Sequence, residues 1–261
     1  MISNACLSDL NWIQASLPVK DGGLGIRSVA LLAPSAFMAS AAATLSLQSQ
    51  IIPTDYILVD RLGDVSREIW VSRHGGEVPL EPDNVKQRCW DAASIKCCTA
   101  VLFDHYTDPH HRARLLACQA PHSGDWLNAW PISNCGLRLD DEAIRVAVGL
   151  RLGINLCAPH VCPCGTVVDA GGTHGLSCRR SSSRIIRHSL INDLVYRAFM
   201  KARIPAAKEP LGLNRVDGKR PDGATLIPWD GKCLTWDVTV SDTFAASHLP
   251  KTSQVAGGAA E

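Results

Sequence analysis

Net charge is the first thing this chain lacks: 26 Lys and Arg against 25 Asp and Glu leave its 261 residues at +1. That removes any global electrostatic case for a polyanion partner, although an average can hide opposed segments. A secretory signal is not expected from MISNACLSDLNW, which has no basic stretch followed by an apolar one. Eleven cysteines, an odd number, argue against a closed disulfide framework, so reduced thiols and an intracellular setting are expected. Charge is absent altogether from residues 28–54, which would suit a membrane span. The run holds Pro34, several serines and two glutamines, and its apolar content is mostly alanine. A helix that is buried or covered by a partner is therefore expected, with no membrane. LPVKDGGLGIRS at 17–28 lacks a complete GxGxxG and a preceding strand, which argues against a nucleotide site there.

What is present is ordinary for a folded protein, with 46% hydrophobic and 20% charged residues. Helices are expected from about Pro34 onward, around Val65 to Arg73, and from about Asp83 to Asp104, with Gly75, Gly76, Pro79 and Pro82 punctuating a loop. HYTDPHHRAR, at 105–114, sets three histidines beside Asp108, but Pro109 interrupts their spacing, so it reads as a polar helix start rather than a metal site. In LDDEAIRVAVGLRLG, Asp140 suits an N-cap and Gly153 a stop, with Ile144, Ala147, Val148 and Leu152 on one stripe. Residues 1–153 show no repeat and no gathering of catalytic side chains, and so read as a helical scaffold.

Residues 157–178 read CAPHVCPCGTVVDAGGTHGLSC. Cys162, Cys164, His174 and Cys178 are three thiols and an imidazole, a set that suits tetrahedral zinc in a structural site. Cys157 or His160 could take the place of one ligand. The segment has too few large apolar residues to build its own core, and a metal would supply the missing stability.

A basic stretch follows. From Arg179 to Arg220 there are eleven Lys or Arg against three acids, Asp193, Glu209 and Asp217, which suits either a solvated face or a phosphate-binding surface. SSSRIIRHSLINDLVYRAFMKARI reads as one amphipathic helix from about Ser182 to Arg203, its apolar stripe being Ile186, Leu190 and Leu194. Arg184, His188 and Asn192 are spaced by four and share a face. Three β segments are expected beyond Pro205: Ala207 to Asn214, Gly223 to Pro228, and Cys233 to Val240. Asp217-Gly218 and Asp230-Gly231 are the turn dipeptides. With the second as a two-residue loop, Trp229 faces Lys232 and Asp222 faces Thr239, so Asp237 becomes a diagonal, same-face neighbour of Asp222. An aspartate in mid-strand is disfavoured, and a divalent cation between Asp222 and Asp237 would account for it.

The order of a Cys/His cluster, Arg187-His188, Arg220-Pro221-Asp222, then Asp237 resembles the C-terminal endonuclease region of site-specific non-LTR retrotransposon proteins, whose nuclease domains look like restriction enzymes of the PD-(D/E)XK superfamily. LPVKDGGLGIR is similar to sequence that follows the polymerase domain in such polyproteins, and no Tyr-x-Asp-Asp polymerase centre occurs here. The resemblance implies an α+β chain: a helical post-polymerase region at 1–153, a zinc-binding module at 154–180, and a restriction-like core at 181–261 cut short at its C-terminus. It implies Mg²⁺ on Asp222 and Asp237, with Glu209 as a further ligand. Thr239 stands where the superfamily has lysine, and Lys251 is the candidate substitute. Arg184, Arg187, His188, Asn192, Lys219 and Arg220 would contact DNA. Element RNA is a candidate second partner, and the setting would be nuclear. The same residues also allow a zinc-stabilised nucleic-acid-binding fragment without catalysis.

Overall fold

The computed structural model describes residues 6–52, 61–74, 77–81, 83–213, 218–228 and 230–260. Gly75, Gly76, Pro82, Asn214, Asp217 and Trp229 lie outside this set, and with them the expected Asp217-Gly218 turn and the Trp229–Lys232 pairing. The described chain is α+β, with two small antiparallel sheets. It forms two compact units: one runs to Leu156 and takes in Leu249–Gly258, and the other is Cys157–His248.

The first unit is helical: α1 (Asp9–Ser16), α2 (Val29–Ile51), α3 (Arg61–His74), α4 (Gln87–His105), α5 (Pro109–Gln119), α6 (Asp125–Asn128), α7 (Asp141–Leu152) and, from the later segment, α10 (Leu249–Thr252). Its boundaries follow capping chemistry. Asp108 accepts from the His111 amide at 3.1 Å, with Pro109 in the first turn of α5. Asp140 accepts from the Ala143 amide at 2.7 Å, and Gly153 ends α7 at φ 69°. Each satisfies backbone groups that the helix leaves orphaned. Val148 and Leu152 of the expected α7 stripe are buried with Ala15 and Ile154.

Helix α2 is long and apolar enough to cross a bilayer by length and composition. Here it packs against α3 and α4, burying Ser35, Met38 and Ala39 and leaving Val29, Leu45, Leu47 and Ile51 exposed. The expectation of a buried helix therefore holds for one face. Met38 and Ala39 share a cluster with Trp70 and Trp90, whose rings meet edge to face at 5.2 Å.

Two buried arginines tie this unit together. Arg151 Nε donates to the carbonyl of Gly23 at 2.9 Å, Nη1 to that of Ser123 at 3.2 Å, and Nη2 to those of Val19 at 2.7 Å and Cys118 at 3.3 Å. Arg114 donates to Gln14 Oε1 at 2.8 Å, and Gln14 Nε2 reaches the carbonyls of Gly22 and Arg151 at 3.1 and 2.9 Å. Burial lowers both guanidinium pKa values, and for Arg151 hydrogen bonding to main-chain oxygens offsets that cost.

The second unit has two parts. A hairpin of β1 (His160–Val161) and β2 (Val167–Val168) leads into α8 (His174–Ser177). Then α9 (Ser182–Lys201), capped by Ser181, packs on an antiparallel sheet of β3 (Ala206–Lys208), β4 (Gly223–Thr225) and β5 (Thr235–Trp236), in the order β3-β4-β5. Among its described residues the buried apolar side chains are few and mostly small: Val168, Cys178, Ala206 and Ala224.

Four expectations for this unit need correction. The strands are shorter than expected. The β4–β5 register is Gly223↔Trp236 and Ala224↔Thr235, so one further step sets Asp222 opposite Asp237, not Thr239. Asp230 and Gly231 do take positive φ, 53° and 77°, as a primed turn requires. They sit, however, in a longer loop that Thr225 organises: its Oγ1 accepts from the Leu234 amide at 3.0 Å and donates to the Ile227 carbonyl at 3.1 Å. Finally, the apolar stripe of α9 is outside. Ile186, Leu190 and Leu194 are exposed, while Asn192 is buried, because the sheet offers polar partners to the opposite face.

Candidate metal centre and the Asp222 site

Cys162, Pro163, Cys164 and Gly165 form the tip of the β1–β2 hairpin. Gly165 takes φ 92°, its amide bonds the Cys162 carbonyl at 2.8 Å, and the Cys162 amide bonds the Thr166 carbonyl at 2.9 Å. This tight turn aims both thiols to one side. Helix α8 supplies His174 from its first residue, and Cys178 follows its last.

The four ligand atoms lie within 4.8 Å of one another. Cys162 Sγ is 3.7 Å from Cys178 Sγ, and Cys164 Sγ is 3.2 Å from His174 Nε2. Sulfurs bound to one tetrahedral zinc at about 2.3 Å stand about 3.8 Å apart, so the spacing matches an edge of a zinc tetrahedron and is far too long for a disulfide. Hydrogen bonds from the Thr166 side chain and amide bring the Cys164 thiol down to about 6, which favours the thiolate that a metal needs. This Cys₃His cluster could bind a zinc ion. Cys157 bonds the Asp169 carbonyl at 3.3 Å, and His160 Nδ1 lies 2.9 Å from the Ala158 carbonyl; neither joins the cluster.

The second concentration of polar side chains is where α9 meets β4. Asp222 Oδ2 lies 2.9 Å from His188 Nε2 and accepts the Val238 amide at 2.6 Å. Its main-chain carbonyl accepts the Glu209 amide at 2.9 Å and Asn192 Nδ2 at 3.2 Å. Asn192 Oδ1 in turn accepts Trp236 Nε1 at 2.8 Å, and Trp236 stacks on Phe199 at 4.9 Å. The indole lies over Gly223, where an added Cβ would come within 1.9 Å of the ring. The side chain of Asp222 is only 17% exposed, whereas Asp237 is exposed.

Several site residues are placed differently from the sequence reading. Asn192 is 6% exposed with both ends of its amide bonded, so it is a packing residue rather than a phosphate contact. Arg187 donates to the Leu176 carbonyl and, at 3.3 Å, to that of Ser183. Glu209 lies just beyond β3 at φ 46°, and its carboxylate is paired with Arg220. Among the described residues, Asp222, Asp237 and Glu209 are not part of any cluster of three or more potential ligands; the Cys₃His set is. Lys251 belongs to α10 of the first unit. Arg184 and Lys219 are exposed. The sequence reading missed Trp236 and Gly223, which are direct partners across β4 and β5; with the register unknown, no signal in the sequence pairs them.

An open apolar hollow of about 300 Å³ in the first unit, lined by Leu24, Ile26, Trp126, Leu137, Leu139 and Val148 among others, contains no titratable side chain. No protein-family model, curated protein or solved structure matches this chain.

Proposed function

We propose that the second unit is the metal-dependent DNA endonuclease part of a non-LTR retrotransposon protein, with a restriction-like core of α9 and its sheet. The observation that carries this reading is the treatment of Asp222. It is a largely buried carboxylate whose Oδ2 is held by His188 and the Val238 amide, at the junction of a basic helix and a sheet. Asp237 directly follows the neighbouring strand β5.

Mg²⁺ keeps several waters and takes as few as one or two carboxylates, so Asp222 with Asp237 is a sufficient protein share. These two carboxylates would hold the ion, which when bound would supply a water of lowered pKa and charge to offset that of the scissile phosphate. The exposed cations Arg179, Arg180, Arg184 and Arg197 would hold the DNA backbone without reading sequence. Element RNA and a nuclear setting belong to the same proposal.

A second reading, a zinc-stabilised nucleic-acid-binding unit without catalysis, is favoured by Thr239 at the lysine position and by the absence of a third ligand beside Asp222 among the described residues. Supercoiled plasmid in Mg²⁺ decides between them. Nicking that Asp222→Asn abolishes supports the nuclease, and DNA binding without nicking supports the alternative.

A further inference from the structure

Adjacent residues on α9 reach opposite ways. Arg187 Nη2 donates to the carbonyl of Leu176, inside α8 between the ligands His174 and Cys178. His188 Nε2 meets Asp222 Oδ2 at 2.9 Å. Ser183 Oγ adds a bond to the Gly175 carbonyl at 3.3 Å, and the Ser181 amide bonds the carbonyl of Cys178 at 2.9 Å. The first turn and a half of α9 is thus fastened to the zinc loop, and the next residue along grips the carboxylate. That loop is held by little besides its ligands, since Val168 is its only large buried aliphatic residue.

We propose that the Arg187-His188 pair is a strut through which a loaded zinc centre sets the position of Asp222. Arg187 is then a positioning residue, not a phosphate contact, and emptying the zinc site loosens Asp222 although the two sites share no ligand. The catalytic consequence rests on the nuclease reading; the mechanical coupling does not.

Hydrogen exchange on the full chain tests it. The Val238 amide, bonded to Asp222 Oδ2, and the Glu209 amide, bonded to the Asp222 carbonyl, are the reporters. In Arg187→Ala with zinc still bound at one per chain, both amides exchange faster, by about tenfold or more if a hydrogen bond's worth of local stability is lost. Chelating zinc from the unaltered chain has the same effect. DNA affinity in Arg187→Ala keeps its dependence on salt. If Arg187→Ala does not fold by circular dichroism, Arg187→Lys replaces it, retaining the charge but not the forked reach.

Unchanged exchange at Val238 and Glu209 in the zinc-loaded variant overturns the strut. So does a salt slope that falls by about one, the mark of a lost phosphate contact. If nicking is absent from the unaltered chain while the exchange coupling is present, the nuclease reading fails and the strut stands.

Discussion

At Gly223 a hydrogen stands where a methyl group would meet the indole of Trp236. Gly223→Ala is therefore expected to destabilise the second unit by about 1–3 kcal/mol, the usual cost of overpacking, read as a lower urea midpoint. Asn192→Ala leaves Trp236 Nε1 without its acceptor and the Asp222 carbonyl without one of its donors, and should cost about 1–3 kcal/mol. His74 gives a pH signature in the first unit. Burial, then neighbouring Arg73, lowers its pKa below the ordinary 6.5, while Ser94 Oγ lies 2.8 Å from Nε2. The unfolded chain thus takes up the proton first. Its contribution is full above about pH 6.5 and is lost as the pH falls towards the folded value. Urea midpoints at pH 7.5 and 5.5 should show that loss, and His74→Gln should reduce the difference. Neither His74 nor Trp236 was legible as a partner in the sequence, because each contact joins residues far apart along the chain.

Helices were the most legible elements, and the reason is local. Asp108, Asp140, Ser181 and Gly153 act within one turn of their own positions, so capping chemistry could be read without knowing the fold. The sheet was not legible to the same degree. Asp230-Gly231 correctly marks positive φ, but the side chain of Thr225, five residues before it, extends the loop and moves the pairing by two residues. Helix α9 shows a further limit: its period was right and its inward face was wrong, since Asn192 and His188 find hydrogen-bond partners on the sheet that Leu190 and Leu194 could not use. The Cys₃His cluster was legible because ligand chemistry demands those residue types. Its stability should depend on them: Cys178→Ser is expected to abolish stoichiometric zinc and unfold residues 157–178, seen by metal analysis and by limited proteolysis within the loop.

The two units differ in what stabilises them. The first has three apolar clusters built on tryptophan, leucine and methionine, and the second has small buried residues beside a candidate metal centre. Unfolding should therefore occur in two steps, with a chelator lowering the temperature of one and leaving the other in place; calorimetry with and without EDTA checks this. The Arg151 hydrogen-bond network bears on the order of events during synthesis. Residues 19–23 are held by a guanidinium 128 positions later in the chain, and at about 5–20 residues per second that partner is made roughly 6–26 s after them. For that interval the Pro18–Gly25 turn lacks the Arg151 guanidinium, and Gln14 keeps the Gly22 carbonyl but not that of Arg151. A nascent chain paused before α7 would expose this segment to proteases and chaperones, and one released after it would not.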